Sequence, residues 1–409
     1  IRYTMSRVPS VQASCRQLTF ASNNGAVFNS VSNEIRIPVS SHSSFLDTSR
    51  GYLAFALSSV GYSTAANGVL ASDAYAMIDS IRIESSGQIN ERVERYSIAH
   101  AVQTRLSSDD AGYLNATAGG PIPALPPTDN GVTINHNVGT LNVTLKLDNC
   151  AFLSAHDHKA LPMKTSFEIV IRLAEVSQQA AWSEAEATGF QVLNPRYICP
   201  GYTIQHAPSL SAYMTFAASN PISWSGNSLK TYIGSITASG NSEQVIQIND
   251  RSLSLLSLTA VQRIAGNRLA AATKTAFTPN LCTQYNYEID GSSYPNNQVI
   301  VNVVAQNLNL GRQYQEMKNS MFVKHPTIAT AQLLATGFTN SVDLKVFDDQ
   351  SLALRGLNTA SSASPNVLRW TGTLGANAGT SSVATEMVIF AAVEAYFSLQ
   401  PNGSITTVI

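Results

Sequence analysis

Residues 76–106 read AMIDSIRIESSGQINERVERYSIAHAVQTRL. The stretch opens with strand-like alternation: Ile81 and Ile83 are apolar, while Ser80, Arg82 and Glu84 are polar. Ser85-Ser86-Gly87 then supplies a turn. After it the period changes. Val93, Tyr96 and His100 fall on one helical face, and Ile98, Val102 and Leu106 recur at four-residue steps on another. The expected unit is therefore strand, glycine turn, short helix. A weaker copy, YNYEIDGSSYPN, occupies residues 285–296. One signature in each half predicts two related domains, which is also what 409 residues lead one to expect.

Elsewhere the chain is a succession of strands and loops. Residues 1–33 carry little periodicity and read as an extended arm. Strand patterns follow at Glu34–Val39, Tyr52–Leu57, Asn142–Asp148 and Thr165–Glu175 (TSFEIVIRLAE), whose partly continuous apolar run fits burial between two sheets. Two more strands are expected around Pro195 and Pro200, and a domain boundary near residue 209. The second half repeats the style at Leu229–Ala238, Glu243–Ile248, Ser252–Gln262, Tyr285–Ile289, Gln298–Val304, Val342–Phe347, Met387–Leu399 and Ser404–Ile409. Long loops are expected at 107–140, whose GGPIPALPP stretch excludes regular structure, and after residues 263 and 357. Short helical patches sit inside connections, at 176–189 around Trp182 and at 307–321. Helices do not alternate with strands, so a doubly wound α/β fold is excluded and an all-β sandwich is expected.

Charged residues make up only 12% of the chain, about half the usual share. The net charge of −1 provides no basic excess for holding nucleic acid by counterion release. Arg2, Arg7, Arg16 and Arg36 against Glu34 fall short of an arginine-rich arm. The longest apolar run, Met387–Phe397, is interrupted by Glu394 and is too short to span a bilayer. No signal peptide is visible; the chain opens at Ile1, so an upstream segment was removed or is not shown. Cys15, Cys150, Cys199 and Cys282 are widely spaced without CxxC and read as free, mostly buried thiols.

The candidates for chemistry are few. His156-Asp157-His158 is the one dense ligand-like cluster, and further ligands for a metal are not evident. Ser108-Asp109-Asp110 and Asp348-Asp349 are short acidic pairs, too few in oxygens for calcium. Glu91, Glu94 and Arg95 are expected to pair along the helix after Gly87, solvated or at an interface, and Asp47 to cap or hold the turn at Ser44. Sequons stand at Asn115, Asn142 and Asn402; they stay bare if assembly is cytosolic, and Asn142 lies in an expected strand. GxSxG, HExxH, P-loop and GxGxxG motifs are lacking. We expect a non-enzymatic protein with no catalytic residue, no cofactor and no metal.

Residues 38–47 (PVSSHSSFLD), followed by Tyr52-Leu53-Ala54-Phe55, resemble the early turn, Phe-Leu-Asp, strand signature of double jelly-roll major capsid proteins of the polinton-like, virophage and adenovirus-like lineage. Met77–Arg95 resembles the next block of that family, Asn149–Ala174 the block closing the first jelly roll, and Phe397–Val408 the terminal strand pair. The Trp-rich and Pro-rich landmarks of the nucleocytoplasmic large DNA viruses are lacking, which leaves the virus group open. The resemblance implies an arm over 1–33 and two tandem eight-stranded jelly-roll β-sandwiches, over 34–208 and 209–409, with short helices and long loops in the connections. It further implies a homotrimeric, pseudo-hexagonal capsomer that contacts neighbouring capsomers, penton and minor capsid proteins. The implied shell would be icosahedral, assemble inside the host cell, make no sequence-specific nucleic-acid contact and leave room for an internal membrane. The alternative is a secreted or surface β-sandwich that binds carbohydrate. It requires exposed aromatics at loop tips, and Trp182, Trp224 and Trp370 are scattered.

Overall fold

The computed structural model describes residues 13–60, 68–69, 74–106, 133–134, 141–154, 160–174, 189–236, 242–264, 282–301, 312, 315–317, 320, 339–346, 354–372 and 385–409. The first half builds two antiparallel sheets. One contains β1 (Ala13–Ala21), β12 (Gly189–Ile204), β5 (Tyr52–Val60) and β10 (Leu141–Leu145) in that order, with β2 (Val27–Phe28) and β4 (Phe45–Leu46) also on β12. The other runs β3 (Glu34–Ser40), β11 (Ser166–Leu173), β7 (Ile78–Ser85), β8 (Gln88–Glu94). A short pair, β6 (Gly68–Val69) with β9 (Thr133–Ile134), stands apart.

The second half repeats the arrangement strand for strand. One sheet runs β13 (Ile222–Ile236), β20 (Thr385–Leu399), β15 (Leu255–Ile264), β18 (Thr339–Asp343), with β21 (Ile405–Val408) on β20. The other runs β14 (Ser242–Ile248), β19 (Asn366–Gly372), β16 (Cys282–Ile289), β17 (Ser292–Ile300). Taken in chain order, the eight strands on the main paths of each half occupy the same sheet positions in both. That is two tandem eight-stranded jelly rolls, as expected. Alternation sets the faces: Ile35, Ile37 and Val39 of β3 and Leu53, Phe55 and Leu57 of β5 all enter the buried core. Two longer helices are described, α1 (Tyr96–Leu106) and α2 (Ala207–Ser219).

Several expectations are corrected. The segment after Gly87 is a strand before it is a helix. Ser86 and Gly87 sit at φ 50° and 77°, and Asp290 and Gly291 at 51° and 76°. Two consecutive positive φ values close a tight hairpin, so β8 folds back on β7 and β17 on β16. The helix starts only at Tyr96. The two strands expected around Pro195 and Pro200 are one, β12, because Pro195 falls at the register shift between Leu193 and Arg196, where a missing N–H is tolerated. Strand β19 was not expected at all. Within the stretch expected to be an arm, β1 pairs with β12 along its whole length. Its side chains are mostly exposed on both faces, which leaves no alternation to read. The expected helix at 176–189 and most of the patch at 307–321 lie outside the described residues.

Candidate functional site at the seam between the two sandwiches

Strand β8 is the edge of its sheet, and an unguarded edge invites pairing. Here the second jelly roll covers it. The register of the hairpin shifts between Ile83, opposite Glu91, and Glu84, opposite Ile89, so Asn90 is an extra residue. Such a bulge re-aims side chains: Asn90 and Glu91 are both buried. Thr407 of β21 lies 3.2 Å from the Asn90 amide, and the Thr231 hydroxyl of β13 donates to the Glu94 carbonyl at 2.9 Å.

Glu91 is the centre of this seam. Its carboxyl accepts the backbone N–H groups of Ala151 and Phe152, at 2.7 and 2.8 Å, from the turn that follows Cys150. The third donor, the Ser228 hydroxyl, comes from β13 across the seam. No cation pairs with Glu91 among the described residues. Burial pushes its pKa up to about 7 despite these three bonds. Phe152 continues the contact. Its ring meets Phe167 of its own half at 4.8 Å, and Trp224 and Phe397 of the other at 5.4 and 5.1 Å.

Helix α1 crosses to the second jelly roll. Ala99 and Gln103 line a cavity of about 20 Å³ together with Leu229, Ser257, Phe390 and Ala392 of the β13–β20–β15 sheet. Arg95, which precedes α1, lies 3.6 Å from Asp79 and 3.8 Å from Glu386. The sheet containing β20 is thus covered on both faces, which explains why residues 386–395 are buried without alternation.

The expected helical trio of Glu91, Glu94 and Arg95 is dispersed. Glu91 enters the seam, Glu94 pairs with Arg92, and Arg95 reaches Asp79 and Glu386. Asp47 does not hold Ser44. It opens the short 3-10 turn Thr48–Arg50, taking the Ser49 hydroxyl at 2.6 Å and Arg50 Nε at 2.7 Å. Burial opposes its ionisation, but these bonds outweigh burial and leave its pKa below the usual value. All four cysteines are free; Cys150, Cys199 and Cys282 are buried. Burial lifts Cys199 and Cys282 to about 12, well away from reactive thiolates. Asn142 lies in β10 as expected, and Asn402 in the exposed turn between β20 and β21. His156 to His158, Asp109, Asp110, Asp348, Asp349, Asn115 and Trp182 lie outside the described residues. Among the described residues no group of three or more His, Cys, Asp or Glu could hold a metal, and no helix is long and apolar enough to cross a membrane.

Sequence reading missed two buried polar centres in the second half. Glu394, visible only as an interruption in an apolar strand, pairs with Arg355 at 2.9 Å and also accepts the Ser254 hydroxyl. Asp250 accepts hydroxyls from Ser252, Thr359 and Tyr232. Both tie the segments 250–257 and 354–362 together.

The architecture defines a class, the double jelly-roll proteins. Comparison with solved structures places the chain beside viral coat proteins in fold. Over 100% of this chain and 99% of the other it matches PBCV-1 Vp54, as fitted into a cryo-EM reconstruction of the virophage Sputnik, with a TM-score of 0.67 and 10% identity. The Faustovirus major capsid protein matches with a TM-score of 0.61 and 8% identity, over 97% of this chain and 92% of that one. The mavirus major capsid protein matches at 0.51 and 8%, over 96% and 89%. No family model and no curated protein matches the sequence. The fold is that of the double jelly-roll major capsid proteins. Nothing supports the carbohydrate-binding alternative, and Trp224 and Trp370 are buried rather than exposed at loop tips.

Proposed function

We propose that this chain is a viral major capsid protein: a non-enzymatic building block of the virion that trimerises into pseudo-hexagonal capsomers and then into an icosahedral shell inside the host cell. The observation that carries the reading is the end-to-end likeness in fold to capsid proteins, over 100% and 97% of this chain. The composition agrees with it. Few charges mean broad faces that can be buried between copies without stranding an unpaired ion. In this reading the first jelly roll begins at β1 rather than at residue 34, and the second follows α2. The partners are further copies of the chain, neighbouring capsomers, penton and minor capsid proteins, with room for an internal membrane. The coat does not hold the genome through sequence-specific contacts.

The experiment is light scattering on the purified chain, with negative-stain images of the same peak. A compact trimer with a six-sided outline is expected. A chain that stays monomeric at high concentration overturns the reading.

A further inference from the structure

We propose that Glu91 is a proton-operated latch between the two jelly rolls: protonated, it closes the seam; ionised, it loosens it. The inference rests on the joint within one chain and not on the capsid reading, so the two fail independently.

The geometry makes the carboxyl a three-way junction. Two of its donors are backbone N–H groups of the first jelly roll, and the third is a hydroxyl of the second. Every other buried carboxylate described above has a cation or several hydroxyls of its own half: Glu394 has Arg355, and Asp250 has Lys230 at 3.4 Å besides three hydroxyls. Glu91 has neither. Around it, the turn contributes the Cys150 thiol, whose own ionisation burial and Glu91 both oppose, with Asp148 beyond it. Strand β7 places Ile83 opposite, and β13 contributes Ser228. The arginines adjacent in sequence are engaged elsewhere, Arg92 with Glu94 and Arg95 with Asp79 and Glu386.

The seam is closely packed at Ala151 and Phe152, whose N–H groups hold the carboxyl. Gly226, two residues before Ser228, lies against the Ala151 backbone, and Phe152 is wedged among three aromatic rings. A protonated Glu91 donates its O–H to the Ser228 oxygen while still accepting both N–H groups. An ionised Glu91 leaves a full charge in an apolar joint, and opening the seam hydrates it.

Closed, the seam holds the proton up to about pH 7; open, the carboxyl releases it near its ordinary 4.5. Between those values each opening releases one proton, so opening rises about tenfold per pH unit and levels off above 7. Hydrogen–deuterium exchange of the full chain, corrected for intrinsic rates, reads this directly. Peptides over 148–154 and 224–231 should lose about 40-fold in protection from pH 5 to pH 7, while the β16–β17 hairpin stays flat. Glu91→Gln should remove the slope. Ser228→Ala, which keeps the carboxyl and loses the hydroxyl that meets it across the seam, should move the pH at which the plateau is reached. A flat seam in the unmodified chain, the same slope in the β16–β17 hairpin, a slope that survives Glu91→Gln, or a plateau unmoved by Ser228→Ala each overturns the latch.

Discussion

Gly226 of β13 lies directly on Ala151: a β-carbon on Gly226 would stand 2.5 Å from the Ala151 carbonyl oxygen and 2.9 Å from its Cα. Both obstacles are backbone, so neither can rotate aside. The two jelly rolls touch here at a distance that only glycine permits.

Gly226→Ala therefore forces the halves apart. The expected cost is about 1–3 kcal/mol, typical of overpacking. Denaturant unfolding of the purified variant checks it, and an unchanged midpoint would show that the seam accommodates a methyl group.

Phe152→Ala empties the other side of the same contact. The ring is fully buried among Phe167, Trp224 and Phe397, so the expected loss is about 3–5 kcal/mol. The quenching environment of Trp224 should change as well, which tryptophan fluorescence follows at low denaturant.

Arg355→Met strands the Glu394 carboxylate. The two side chains are only 4% and 5% exposed, and removing one partner of such a pair costs about 3–5 kcal/mol. Replacing Glu394 by Met as well should restore most of the stability. Thermal melts of the single and double variants distinguish a costly orphan charge from lost packing.

The pH profile of stability should rise and then fall. Burial opposes ionisation of Asp47 and Glu394, but their hydrogen bonds to Ser49 and Arg50, and to Ser254 and Arg355, hold both below their usual values. Their contribution is present above the ordinary carboxylate range and is lost as pH falls through the lowered pKa values. Glu91 works the other way. Its pKa is raised to about 7 from 4.5, so its contribution is complete below 4.5 and lost by about pH 7, a difference of roughly 3 kcal/mol. Maximum stability is expected near pH 5. Melting temperatures across pH 3–9 that climb steadily to neutrality would contradict this assignment.

Gly87→Ala and Gly291→Ala test the hairpins in isolation. An added β-carbon meets nothing within 4 Å at either site, so the cost is conformational alone, about 1–2 kcal/mol from the left-handed φ. A much larger loss would mean that the turns make contacts beyond their own backbone.

The sequence by itself determined whatever depends on local pattern. Alternation placed β3 and β14 in the chain, apolar runs placed β11 and β20, the Ser86-Gly87 and Asp290-Gly291 pairs marked two equivalent turns, and the Phe45-Leu46-Asp47 turn carried the resemblance to the fold. Local pattern also misled where a period of 3.6 ran through β8, since the helical spacing of Val93, Tyr96 and His100 begins before the helix does. Tertiary structure alone decided the rest. Strand β1 is set by its partner β12 and not by its own exposed side chains. Glu91 read as a helix residue in a solvated or interface ion pair. It became a buried junction only because the bulge at Asn90 turns it toward a serine 137 residues away. Side-chain periodicity records which face of an element is dry; it holds no record of which distant element dries it.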